Sequence, residues 1–443
     1  MSRITKLCIL LAGSMQTYGW ASTWPQFRGP MGNGVAQAVD IPMEWSAKQN
    51  VAWTRALPGA GWSSPVIARQ RVWVTTAVHK DQSRPKGFQE GVRSMGNFRE
   101  ASKNLKLTAF KVFCLDLKSG DILWESTPSE TTPAFAIHPS NTYATETPVT
   151  DGKHVFAYFA AAGEVSCLGE TGELLWKVKT GRHAFGNGFG SGSGLTLANN
   201  KLFLQCDNDE ASYVMALDTR SGDEIWKQKR SSRTSWSTPM LWKTGKGMDL
   251  VLAGSGHVTG YDLNTGGLRW KLKGLGGSFS GSPASDGTHL YFGNSGPRST
   301  GPLVAISQAA QGERSLTPNR SEGWITWSKS GAGPGLASPV AHEGFLYVIN
   351  GSVLKCYEAH SGKRIYEERL PGASRVAASL WIAGESVFVL DEDGNTFVVR
   401  AGGRFELRRV NTLQDLFWAT PSMVDNRLLL RGADNLYCIS EGK

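Results

Sequence analysis

Cysteine is scarce in this chain: six stand among 443 residues, and no two are adjacent. A disulfide-dense scaffold is excluded. Long apolar runs are missing as well. The stretch from Leu7 to Met15 falls far below the ~20 residues a membrane-spanning helix needs, and no later segment qualifies. The eight histidines are scattered and none pair at zinc-ligand spacing, so no metal site is expected. Neither a phosphate-binding P-loop nor a nucleophile elbow is present.

What is there begins with a targeting segment. Arg3 and Lys6 form a positive start, Leu7 to Met15 an apolar core, and Gly19-Trp20-Ala21 a small-x-small cleavage site. Residues 1–21 therefore read as a signal peptide. The mature chain is expected to be exported, in the periplasm or outside the cell, with no transmembrane segment. Cys8 lies too early, without a lipobox before it, to suggest a lipid anchor. Losing Arg3 and Lys6 takes the formal charge from +9 to +7. That mild excess suits solubility, and nucleic acid is not an expected partner.

The rest is organised by repetition. VMALDTRSGDEIWK, Val214 to Lys227, reads as strand, tight turn, strand. Related phrases end at Trp124, Trp176, Trp270, Trp327 and Tyr366, another near Leu407, and the last stops before its aromatic. The missing strand stands at the other end of the chain, around Trp53. A second phrase, small-polar-Pro, opens each unit: Ser63-Ser64-Pro65, Glu146-Thr147-Pro148, Ser237-Thr238-Pro239, Gly281-Ser282-Pro283, Ala337-Ser338-Pro339 and Ala419-Thr420-Pro421. Degenerate copies stand at Gly192-Ser193-Gly194 and Ala377-Ala378-Ser379. Four short strands at a period of roughly 40–55 residues predict a β-propeller. Eight units are counted, so residues 22–443 form one all-β, eight-bladed ring of four-stranded antiparallel blades. The N-terminal strand is expected to close it. Cys114, Cys167, Cys356 and Cys438 recur at the position Ala216 occupies. Equivalent positions on different blades lie beyond the ~4.4–6.8 Å Cα separation of a disulfide, and these residues read as small buried side chains. Two stretches interrupt the period. Residues 79–106 carry seven basic and three acidic residues, and 308–323 read as a second surface loop.

The spacing from Cys114 to Trp124, Ala216 to Trp226, Gly260 to Trp270 and Cys356 to Tyr366 resembles the tryptophan-docking repeat of the pyrroloquinoline quinone (PQQ) propeller superfamily. TWPQFRGPMGNGVA, Thr23 to Ala36, is similar to the opening segment of its exported members. The resemblance implies that Trp53, Trp124, Trp176, Trp226, Trp270, Trp327 and Tyr366 are structural wedges between blades. It implies two functional classes. Quinoprotein dehydrogenases oxidise alcohols or sugars with PQQ and Ca²⁺, and many carry an adjacent cysteine pair that this chain lacks. BamB-like propellers are docking scaffolds without a cofactor. The acidic stretches Asp207-Asn208-Asp209-Glu210 and Asp391-Glu392-Asp393-Gly394-Asn395 are the best calcium candidates, but the second lies between two strand runs and reads as a hairpin turn.

Loops entering the inner strands carry Trp62, Tyr143, Phe189, Trp236, Phe279 and Trp418, with His138, Asn141, Glu146, Arg182, His183, Asn187, Arg233 and Arg298 nearby. Aromatics around a concave mouth can stack on a flat ligand; the same residues can equally plug the channel. The reading from sequence is an exported, monomeric, non-catalytic module with no cofactor, binding a protein, glycan or small ligand through a propeller face. A PQQ- and Ca²⁺-dependent dehydrogenase is the alternative.

Overall fold

A computed structural model describes residues 23–36, 40–84, 105–296 and 299–441. Residues 1–21, expected from sequence to be a signal peptide, and most of the basic insertion 79–106 lie outside the described residues. Eight antiparallel sheets follow one another along the chain. Blade 1 runs from Val66 to Thr131, blade 2 from Val149 to Lys179, blade 3 from Thr196 to Lys229 and blade 4 from Met240 to Lys273. Blade 5 spans Ala284–Lys329, blade 6 Val340–Arg369 and blade 7 Trp381–Thr412. Blade 8 takes three strands from Ser422–Ile439 and its outer strand from Val51–Ala56, so the two ends of the chain close the ring as expected. Closure leaves no long free sheet edge between the first and last blades.

The aromatic phrase has one consistent register. The small residue of the third strand faces the aromatic of the outer strand at Cys114–Trp124, Cys167–Trp176, Ala216–Trp226, Gly260–Trp270, Ala305–Trp327 and Cys356–Tyr366, and across the closure at Cys438–Trp53. The register shifts beside each of these pairs, a bulge that re-aims the aromatic. The five cysteines among the described residues are free and buried.

The small-polar-Pro phrase solves a different problem. Inner strands of neighbouring blades converge without pairing, so their buried amides need other acceptors. The amide of Ser64 donates to the Thr147 hydroxyl of the next blade at 3.1 Å. The same step joins Gly194 to Thr238, Thr238 to Ser282, Ser282 to Ser338, Ser338 to Ser379 and Ser379 to Thr420, at 2.9–3.1 Å. Gly194 has no hydroxyl to offer blade 2, and there the Leu195 amide reaches the Thr147 carbonyl at 3.3 Å instead.

The 308–323 insertion is not loop throughout. Gly312–Ser315 is a strand that pairs parallel with Leu268–Lys273 and gives blade 4 a fifth strand. Ser and Gly made it read as loop, whereas the outer edge of blade 4 supplies its backbone partners. Val35–Ala36 likewise adds to the inner edge of blade 7.

Alternation of antiparallel strands divides the connections between two faces. Links between blades and the hairpins between second and third strands lie on one face, and the remaining hairpins on the other. Residues 24–36 cross the axis near the second face. Trp24 bridges Ile67 of blade 1, Pro25 accepts from the Thr150 amide at 2.9 Å, and Gln26 accepts from the Leu197 amide at 3.1 Å. Arg28 is fully buried and donates to the carbonyls of Pro283 in blade 5 (2.8 Å), Pro339 in blade 6 and Asn33 (2.9 Å). Burial lowers its guanidinium to about 9, still protonated at neutral pH. Together with the Trp24, Pro25 and Gln26 contacts, this side chain ties the opening segment to blades on both sides of the ring.

Candidate functional site on the loop face

The residues singled out from sequence do not form one ring around one mouth. Trp62 and Trp418 stack on each other with ring centroids 6.1 Å apart, and the Trp62 indole donates to the Ser140 carbonyl at 3.0 Å. Phe189 meets Trp236 edge-on at 6.0 Å, and Trp236 donates to the Gly190 carbonyl at 2.8 Å. His138 is buried, holds Ser140 and packs on Phe189 at 4.6 Å; burial lowers its pKa. Phe279 is fully buried in the core shared by blades 4 and 5. These aromatics fasten neighbouring loops to each other.

Several polar candidates have the same structural use. Asn141 donates to the Phe189 and Ser191 carbonyls at 2.7 and 2.9 Å, tying two inter-blade loops together. Arg182 donates to the Ala162 carbonyl and the Thr131 hydroxyl. Arg233 is exposed, 3.4 Å from Asp209. Asn187 falls in a short 3₁₀ turn, Gly186–Gly188, and its side chain is outside the description, as is the whole of Arg298.

The calcium candidates are engaged. Asp207 is buried in a bidentate pair with Arg230, at 2.7 and 3.0 Å, which the Thr259 and Tyr261 hydroxyls extend into blade 4. Asp209 accepts the amide and hydroxyl of Thr234. Asp391 accepts the amides of Ser374, Asp393 and Asn395, the hairpin turn its position suggested. These carboxylates do not fit the six to eight open oxygens of a calcium site. With Trp62, Trp418, Phe189 and Trp236 packed on one another, the residues offered to a quinone do not fit that use either.

Four of the candidates do come together. Asn141, Tyr143, Glu146 and His183 line a cavity of about 230 Å³ between the loops flanking blade 2, with Phe135, Ile137 and Phe185 as its apolar walls. Tyr143 sits at φ 61°, and its hydroxyl donates to the Phe135 carbonyl at 2.8 Å, fixing that wall. His183 packs edge-on against Tyr213 at 6.0 Å and lies 3.4 Å from Glu210. Glu146 is buried, and its Oε2 has no hydrogen-bond partner among the described residues. Burial raises its pKa to about 7, while the Ser191 hydroxyl and neighbouring backbone amides pull the other way. A buried carboxyl lining an aromatic-walled cavity has the chemistry to pair with a ligand there. Phe135, Ile137 and Phe185 were not legible as walls, because they fall in loops outside the repeat. A wider cleft of about 460 Å³ crosses blades 6 and 7 on the same face, edged by Arg369, Arg375 and Glu392.

Residues 108–321, just under half of the chain, match the family model described as outer membrane protein assembly factor BamB. Among solved structures, BamB from Moraxella catarrhalis superposes with a TM-score of 0.57 at 13% identity, covering 87% of this chain and 98% of that one. The quinohemoprotein alcohol dehydrogenase from Comamonas testosteroni superposes at 0.60 with 11% identity, covering 95% and 81%. The fold is thus a β-propeller of the kind these two structures share. A tetrathionate hydrolase from Acidithiobacillus ferrooxidans is 21% identical over 326 residues, 67% of this chain; the chain spans 57% of that relative's length.

Proposed function

We propose that this PQQ-like propeller is an exported binding module that takes a small organic cation in the Glu146 cavity. The carrying observation is that buried Glu146, one of whose carboxyl oxygens is unpartnered among the described residues, lines a cavity walled by Phe135, Tyr143 and Phe185. An ammonium group would satisfy that oxygen as a charge-assisted partner, and aromatic faces favour a cation over an anion. The targeting segment at residues 1–21 supports export. The engaged carboxylates Asp207, Asp209 and Asp391 speak against the calcium-dependent quinone alternative.

The test is calorimetric titration at pH 8 with a panel of small primary and quaternary ammonium compounds. Binding is expected for at least one member, weakened roughly tenfold or more by Glu146→Gln, a loss of about 1.4 kcal/mol. Binding that ignores this substitution, or none across the panel, would overturn the reading. Tetrathionate, named for the hydrolase relative, is a dianion and belongs in the panel as the contrasting ligand. A charged Glu146 would repel it.

A further inference from the structure

The repeat turns on the opposite face bring together a cluster that no motif announced. Asp286 and His289 stand in the first hairpin of blade 5, and His360 in the last hairpin of blade 6, 71 positions beyond His289 in sequence. Their ligand atoms all lie within 4.8 Å of one another. The rings of His289 and His360 are 5.1 Å apart, although no histidines pair at zinc-ligand spacing along the sequence. Sequence spacing missed it because the ring, not the chain, makes them neighbours.

Each of the three is held in place. Asp286 accepts the amides of Thr288 and His289 at 2.8 and 2.7 Å on Oδ1, while the Tyr291 hydroxyl donates to Oδ2 at 2.7 Å. The Thr288 hydroxyl lies 2.8 Å from Asp286 Oδ1 and 3.0 Å from His289 Nδ1. His360 is exposed, but its turn is clamped from blade 5. The Trp327 indole donates to the Ala359 carbonyl at 2.8 Å, and a Cβ at Gly362 would lie 2.6 Å from that indole. We infer that Asp286, His289 and His360 form a binding site for a divalent transition metal of the zinc, nickel or copper type, joining blades 5 and 6.

The donor set is two imidazoles and one carboxylate, which suits these borderline ions better than calcium or magnesium. Ligand atoms around a tetrahedral zinc stand about 3.3 Å apart, given bonds of about 2.0–2.1 Å. Closing from within 4.8 Å asks for a rotation of the exposed His360 ring. Tyr291 and Thr288 then serve as the outer partners that orient the ligands. Water would complete the coordination.

The experiment uses untagged, chelator-treated, full-length mature protein. It is titrated with Zn²⁺ by calorimetry and with Co²⁺ by visible absorption. One equivalent is expected to bind, with a Co²⁺ spectrum of low coordination number and a rise in Tm. His360→Ala, on the surface, should leave the metal-free Tm unchanged and weaken binding at least tenfold; His289→Gln should do the same to binding. Absence of stoichiometric binding overturns the site. So does binding that His360→Ala and His289→Gln leave intact, which would put the metal elsewhere.

Discussion

Trp270 donates its indole N–H to Asp249 Oδ2, 2.8 Å away in its own blade. Its repeat equivalents look outward: Trp53, Trp124, Trp176, Trp226 and Trp327 each donate to a carbonyl of the next blade, Leu117, Glu170, Thr219, Leu263 and Ala359, at 2.8–3.1 Å. Trp270 also lies on the strand Leu268–Lys273, against which Gly312–Ser315 pairs. The equivalent carbonyl of blade 5, that of Gln308, accepts the Gly245 amide at 3.2 Å instead. The rerouted ring needs Gly260 opposite it, because a Cβ there would lie 2.1 Å from Trp270 Nε1. Gly260→Ala is therefore expected to destabilise the ring by roughly 2–4 kcal/mol through overpacking and a lost buried hydrogen bond. Urea denaturation measures it; a change below about 0.5 kcal/mol would mean the ring moves freely.

Two glycines with similar backbones separate strain from packing. Gly266 has φ +68° and a Cβ there would lie 2.6 Å from the Trp226 ring, whereas Gly256 has φ +77° and nothing within 4 Å. Gly256→Ala should cost about 1–2 kcal/mol, the left-handed penalty alone. Gly266→Ala should cost more by at least about 1 kcal/mol, because Trp226 must be displaced as well. Equal losses in denaturation midpoints would argue against a packing role for the indole.

The hydroxyl circuit of the inner strands predicts a third loss. Thr238 accepts from the Gly194 amide at 2.9 Å and donates its own amide to Ser282. Thr238→Val keeps the shape and leaves the Gly194 amide buried without a partner, at a cost of about 1–3 kcal/mol. Hydrogen exchange at Gly194 should accelerate in the variant; unchanged protection would show another acceptor taking over.

These cases mark what could be read beforehand. The eight blades, the closing strand at Trp53 and the register of Ala216 against Trp226 followed from repeated local chemistry, which each blade expresses in nearly the same way. The Ser/Thr-Pro phrase was visible as punctuation, but its hydrogen bonds run between blades, so its purpose emerges only once the ring closes. The Glu146 cavity was half legible. Tyr143, Glu146 and His183 lie on or near loops entering the inner strands, yet Trp62, Trp418 and Phe279 satisfy the same criterion and pack loops or core instead. Side-chain direction in irregular loops separates the two groups, and that has no periodic signature.

Glu146 also ties stability to pH. Its pKa rises from 4.5 unfolded to about 7 folded. The folded state then holds more protons than the unfolded state between those values, so stability falls as pH rises through that window. The loss is on the order of 3 kcal/mol by pH 8. Glu146→Gln should flatten that part of the profile, and urea titrations of both proteins from pH 4.5 to 8 check it. Parallel profiles would place the pKa near that of an ordinary carboxyl.

The most direct measurement is the proton count on ligand binding at pH 6.5, taken by titrating a small primary ammonium ion in buffers of different ionisation enthalpy. A cation paired with Glu146 needs the carboxylate, so binding should release a proton, tighten as pH rises through about 7, and lose both features in Glu146→Gln. Proton uptake, or tetrathionate binding that strengthens as pH falls while the ammonium ion fails to bind, would contradict a cation site at Glu146.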